Sequence, residues 1–311
     1  MTIVTWIIII AALLLAFPLL VIPLIVYRIL LVRTSPEKWG RTCSMPEDEE
    51  CVRMHEAGMQ WAEKKEDRKK EVSVTVDGLK LCGQYFDLGY KKAVVIIAGR
   101  MESCLYSCYF AEPFEKAGCN ILVIDNRAHG WSEGRYSCLG FREYRDILKW
   151  CELLHDSFGN EEILLHGICI GSSTALFALT DKACPAYIRG MVAEGMYINF
   201  FESLKNHMIE QKRPIYPFVY VIAFWTWVFS SARIISDGPL KRIGRLKKPI
   251  LFLHSREDIY SVPEYAEKLY ERCTSDKQIV WFPTAKHSRI RINHTEKYDA
   301  AVTAFAERVL G

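Results

Sequence analysis

The 311-residue chain carries 40 Lys+Arg against 37 Asp+Glu, a net charge of +3, and half of its residues are hydrophobic. These values exclude a disordered or collagen-like chain and leave enough residues for one large core or two small ones. The near-neutral balance also argues against nucleic acid as a partner, because neutralising phosphates needs a basic face that this total does not supply.

The charge is unevenly placed. No Lys, Arg, Asp or Glu falls within residues 1–27, and 6–27 reads WIIIIAALLLAFPLLVIPLIVY. As a helix rising about 1.5 Å per residue, this run matches the roughly 30 Å hydrocarbon core of a bilayer, with Trp6 and Tyr27 at the two belts. A secretory signal would show a basic start, a shorter apolar stretch and a small-residue cleavage site, and this run has none of them. Residues 1–28 therefore read as an uncleaved, single-pass transmembrane anchor. Arg28, Arg33, Lys38 and Arg41 all follow the run, so the positive-inside rule places the remaining chain in the cytoplasm. Eleven cysteines, an odd number with no C-x-x-C pair, read as reduced thiols and agree with that compartment.

Residues 29–71 form a charged linker whose densest part, 47–71, reads as a solvated helix. VSVTV at 72–76, the Asp77-Gly78 turn and LKLCGQYF at 79–86 predict a hairpin. From there the pattern alternates. Apolar runs at 93–99, 119–125, 162–168, 188–195, 248–255 and 278–284 read as buried strands, separated by helical stretches. Strands buried on both faces with helices between them predict an α/β domain over 72–311 built on a mostly parallel sheet. In such sheets the reacting groups gather beyond the carboxyl ends of the strands.

One of those ends carries Gly167-Ile168-Cys169-Ile170-Gly171 between a strand and a helix. The spacing is that of a nucleophile elbow, in which small flanking residues allow a strained turn that lifts the nucleophile clear of the backbone. Taken alone, it suits a buried structural cysteine between two packing glycines better. Further along, Asp258 follows the strand KPILFLHS and His287 follows QIVWFPT, at separations of 89 and 29 residues. The order nucleophile, acid, histidine at three strand ends makes Cys169, Asp258 and His287 a candidate triad. Glu194, at the end of IRGMVAEG, is the rival acid. The remaining histidines show no H-x-x-x-H or H-E-x-x-H spacing, and no G-x-G-x-x-G or P-loop is present, so no metal or other cofactor is implied.

The stretch VVIIAGRMESCLYSCYFAEPFEKAGCNILVIDNRAHGWSEG resembles the α/β-hydrolase superfamily, in particular its serine aminopeptidase, monoacylglycerol lipase and lysophospholipase branch. The pattern there is an apolar strand, HG-x-x-E-S, a helix, then D-x-R-G-H-G-x-S-x-G. This chain has Ala98 for the usual His, Ala128 for the usual Gly, and Cys169 for the usual Ser; dienelactone hydrolases use Cys on this fold. The resemblance implies an oxyanion hole formed by the backbone N–H groups of Arg100 and Ile170, and a cap inserted between strands, here at about 196–243. The Arg100 side chain could pair with Glu102 or grip a polar head group. Within the insert, residues 214–232 carry no charge. A second membrane span there would put Asp258 and His287 across the bilayer from Cys169, so the stretch reads as a hydrophobic cap helix that lines a lipophilic pocket or lies on the bilayer surface.

The implied activity is that of a membrane-anchored hydrolase of esters or thioesters, acting on a small acyl ester or lipid through a Cys-His-Asp triad and an acyl-enzyme. An acyltransferase on the same fold and an inactive lipid- or partner-binding module remain open alternatives.

Overall fold

The computed structural model describes residues 2–311. Eight strands form one sheet: β1 (Lys69–Val76), β2 (Leu79–Phe86), β3 (Lys92–Ile97), β4 (Cys119–Ile124), β5 (Glu162–Ile168), β6 (Ile188–Glu194), β7 (Ile250–Ser255) and β8 (Lys277–Phe282). Their order is β1-β2-β4-β3-β5-β6-β7-β8. β1 pairs antiparallel with β2 and β2 with β4, and every other neighbouring pair is parallel. The hairpin forms where the turn chemistry puts it: Asp77 and Gly78 both have positive φ, 52° and 77°, which joins the strands with Val76 opposite Leu79.

The parallel strands are apolar throughout because both faces are covered. Along β3, Val94 and Ile96 belong to one core, with Phe110, Phe114 and Phe305. Ala93, Val95 and Ile97 belong to the other, with Ile147, Trp150 and Leu176. Charge density at 47–71 predicts a solvated helix, yet the helix Glu49–Glu63 buries Cys51 and Met54 completely and joins the first core. Its charged residues occupy the other face. Gly58 marks the contact, since a Cβ there would lie 2.8 Å from the Tyr109 nitrogen.

A third core lies over the carboxyl ends of the strands. There the helices Phe200–Glu210 and Phe218–Ser230, inside the expected cap insert, meet the end of the N-terminal helix Ile3–Leu31. Tyr27 is buried, its hydroxyl 3.1 Å from Ser230 Oγ and its ring stacked on Phe229 at 5.5 Å, and the Trp225 indole N–H donates to the Leu20 carbonyl.

This packing accompanies a correction. Residue 1 and the side chains of 11–13, 15 and 16 lie outside the described residues, and among the described residues no helix is long and apolar enough to cross a membrane. The transmembrane helix read at 1–28, membrane attachment through it, single-pass localisation and the cytoplasmic placement drawn from its flanking charges are all overturned by that finding. Hydropathy reports how apolar a segment is without reporting what covers it, and at Tyr27, Leu31 and Val32 the cover is protein.

Candidate active site

The glycines at 167 and 171 make the turn at the end of β5 possible. A Cβ on Gly167 would sit 2.4 Å from the Gly171 carbonyl carbon, and one on Gly171 would sit 2.1 Å from the Ile97 carbonyl oxygen. With side chains absent, the helix Ile170–Leu179 starts directly on the strand, and Cys169 between them takes φ 54°, ψ −113°. A non-glycine residue held in that region is strained and persists only where its surroundings over-determine it. Here the Cys169 N–H donates to the Glu194 carbonyl at 2.9 Å, and Ser172 Oγ lies 2.6 Å from the Gly167 carbonyl and 2.9 Å from that of Glu194. Ser172 is thus engaged with the backbone below the elbow.

Asp258 and His287 meet across two loops, with His287 Nδ1 2.6 Å from Asp258 Oδ2. The second oxygen of Asp258 accepts from the backbone N–H groups of Tyr260, at 2.9 Å, and Ser261, at 2.8 Å. Burial alone would raise the Asp258 pKa; the His287 charge and these donors reverse the direction and hold it below the usual carboxylate value. For His287, burial would depress the imidazole, but the charges of Asp258 and Cys169, with the hydrogen bond to Asp258, raise it well above its ordinary value. Its Nε2 is buried with no hydrogen-bond partner in this arrangement. Catalytic hydrogen bonds in an empty site are commonly open and tighten when substrate binds.

One cleft of about 270 Å³ is lined by Cys169, His287, Ile170 and Arg100 together, so all the sequence-assigned site residues except the buried Asp258 line it. Glu194 does not reach His287 Nδ1. It accepts from the Tyr298 hydroxyl at 2.7 Å instead, and burial pushes its pKa up to about 7. Glu102 likewise does not pair with Arg100; Ser44 Oγ donates to it at 2.6 Å, and burial raises it to about 7.

The family-like motifs hold the loops around this cleft. Arg127 grips Asp146 through two hydrogen bonds of 2.7 and 2.5 Å. Ala128 adopts φ 66° where glycine is usual, and Gly130 is obligatory, since a Cβ there would be 2.1 Å from the Asp125 carboxyl carbon. His129, in the loop RAHGWSEG, reads from the sequence as a structural residue. It accepts the Met101 N–H at Nε2 (3.3 Å), lies 3.0 Å from the Arg127 carbonyl through Nδ1 and stacks on Trp39, which fixes the loop carrying Arg100.

A second, apolar cavity of about 380 Å³ adjoins the cleft. Its walls come from the N-terminal helix (Ile22, Pro23, Val26, Leu30) and the cap helices (Phe200, Leu204, Met208, Phe218, Ile222), and Arg100 and His207 line both spaces. No local motif announces the wall residues of the N-terminal helix, because they are defined only by a partner about two hundred residues away.

A family model described as the alpha/beta hydrolase fold matches residues 92–233. An uncharacterized Bacillus subtilis protein, YqkD, is 26% identical over 218 residues, which are 70% of this chain and 71% of that one. The alpha/beta hydrolase domain-containing protein aho-3 of Caenorhabditis elegans is 25% identical over 216 residues, 68% of this chain and 55% of its own length. Among solved structures, an esterase from Pyrococcus furiosus, Pf2001, superposes with a TM-score of 0.66 at 24% identity, covering 80% of this chain and 96% of that one.

Proposed function

We propose that the chain, which belongs to the α/β-hydrolase superfamily, hydrolyses carboxylic esters or thioesters of apolar acyl groups with Cys169 as nucleophile. The observation that carries this reading is the cysteine on a strained elbow, φ 54°, in one cleft with an imidazole that a buried carboxylate holds at 2.6 Å. The esterase activity named for the Pyrococcus structure is consistent with it. The adjoining apolar cavity favours a lipid-like acyl group, as in the lipase and lysophospholipase branch that the sequence resembles.

In this mechanism the Cys169 thiolate, paired with the His287 imidazolium, attacks the carbonyl carbon, and the carbonyl electrons move onto oxygen. The N–H groups of Ile170 and Arg100 stabilise that oxyanion, each such donor being worth on the order of 10²–10³ in rate. Collapse expels the alcohol or thiol with the proton from His287 and leaves a Cys169 thioester. Water, deprotonated by His287, then attacks the thioester and releases the acid, while Asp258 holds the ring orientation and stabilises its charged form.

The test is intact mass and turnover with short and long p-nitrophenyl esters and acyl thioesters. The expected result is an acyl adduct and turnover that both vanish in Cys169→Ala. A folded wild-type protein with neither adduct nor turnover across the panel overturns the reading and leaves a binding module. Cys169→Ser is expected to lose activity, because a hydroxyl does not ionise against His287 as a thiol does.

A further inference from the structure

The Arg100 side chain stands out among the charged groups of the site. Half-buried at the junction of the cleft and the apolar cavity, it forms no salt bridge and no side-chain hydrogen bond among the described residues. Taking a guanidinium out of water without a partner is costly, and buried charges are normally paired. Glu102, the acid nearest in sequence, is turned away to Ser44. Asp258 is committed to His287 and two backbone N–H groups. The apolar cavity has no acidic residue on its walls, and the only other charge there is Arg213, on the exposed rim. Of the other polar groups shared by both spaces, Gln211 carries no charge, and His207 has Nδ1 2.8 Å from the Ser203 carbonyl and is neutral at ordinary pH, so neither offers a counter-charge.

From this placement we infer that the guanidinium of Arg100 is a binding site for an anionic group, a carboxylate or phosphate, on an amphiphilic acyl substrate whose chain occupies the apolar cavity. A planar guanidinium suits both anions, since two parallel N–H groups match a pair of their oxygens. The assignment deepens the hydrolase reading and rests on it for the identity of the bound molecule as substrate. The Coulombic influence of Cys169 on Arg100 offers a different role, in which the guanidinium merely stabilises the thiolate. That role predicts no preference among substrates.

The experiment has two arms. In the first, the full chain carrying Cys169→Ala is titrated calorimetrically with octanoate, octyl phosphate and 1-octanol, so that binding is read without chemistry. At least one anion is expected to bind about tenfold or more tighter than the alcohol, as hydrogen bonds to charged groups allow. The preference should vanish with Arg100→Gln, persist with Arg100→Lys and survive Arg213→Gln. Comparison of octanoate with octyl phosphate identifies which anion the site takes. Equal binding of all three ligands overturns the inference, as does a preference that Arg213→Gln abolishes and Arg100→Gln leaves intact. If Arg100→Gln does not fold, the octanoate, octyl phosphate and octanol comparison in the parent, with Arg100→Lys, decides alone.

The second arm compares kcat/KM for S-octanoyl 3-mercaptopropionate with that for neutral S-octanoyl 3-mercaptopropanol. The anionic thioester is expected to be favoured through KM, with the ratio falling toward one in Arg100→Gln. Loss of both rates by the same factor, with the ratio unchanged, assigns Arg100 to the thiolate instead. Anion-selective binding in the first arm without turnover of any thioester leaves the anion site standing and removes the hydrolase reading.

Discussion

Two carboxylates stand at the carboxyl ends of neighbouring strands, Glu194 closing β6 and Asp258 just beyond β7, and depth does not distinguish them, at 0% and 2% exposure. Their ionisation nevertheless runs in opposite directions. Burial raises both, but Asp258 collects two backbone N–H groups and the His287 imidazole and is held below the usual carboxylate range. Glu194 has one full hydrogen bond, from Tyr298; its Oε1 has none, and weak help from His287 and the Ile290 N–H leaves it near 7. The His287 charge in direct contact with Asp258, reinforced by its donors, rather than distance from water, decides which of the two carries charge at the site.

The sharpest way to break this comparison is to remove each charge in turn. Asp258→Asn is expected to lower kcat/KM by on the order of 10³–10⁴, a loss of the kind known for a triad whose acid is made neutral. Without the carboxylate the imidazolium loses its stabilisation, so the His287 pKa falls and the alkaline limb of the pH profile moves to lower pH. Glu194→Gln should cost less than about tenfold, since Glu194 acts on His287 only at a distance. Both pH–rate profiles, measured with p-nitrophenyl butyrate, settle the matter: a larger loss for Glu194→Gln would make the β6 acid the working one.

How much of this was legible beforehand depends on whether the determinant is local. Gly167 and Gly171 flank Cys169 within five residues, and the steric reason for them is written in that pentapeptide, so the elbow can be read from the string. Asp258 and His287 were legible for a related reason, since each follows an apolar strand and the sheet brings strand ends together. Glu194 stays a rival to the favoured Asp258 in the string alone because its hydroxyl partner, Tyr298, lies 104 positions away on the last helix. The N-terminal helix shows the limit most plainly. Ile22, Val26 and Leu30 are equally apolar facing lipid or facing Phe218 and Ile222, and a hydropathy window contains no term for the cap. The helix Glu49–Glu63 errs in the opposite direction, since counting its charges hides the two fully buried side chains between them.

The next effect is on stability. Glu194 has a folded pKa of about 7 against 4.5, so below about pH 4.5 both states hold the proton and the group contributes no pH dependence. Between 4.5 and 7 the unfolded chain releases the proton while the folded one keeps it, and the stability of the native state falls as pH rises through that window. The full loss is on the order of 3 kcal/mol by pH 8, of which roughly 2.5 falls between pH 5 and pH 8. Urea unfolding at pH 5 and pH 8 should show it in the wild type and a smaller difference in Glu194→Gln; an equal difference in both would mean that other groups set the slope.

The smallest effect tests the single donor itself. The Tyr298 hydroxyl donates to Glu194 Oε2 at 2.7 Å and lies 3.1 Å from His166 Nε2, and burial pushes His166 down to about 3, so that neighbour stays neutral over the range tested. Tyr298→Phe removes the hydrogen bond that lowers the Glu194 pKa, so that pKa rises further and the window of declining stability extends to higher pH. At pH 5, where Glu194 is protonated, the cost should be about 1 kcal/mol, that of one ordinary buried hydrogen bond. At pH 8 the wild-type contact is to a carboxylate and the cost should be greater, whereas in the Glu194→Gln background the two pH values should give the same cost. A double-mutant cycle at both values isolates the coupling, and a coupling that does not change with pH would show that Glu194 keeps one protonation state throughout.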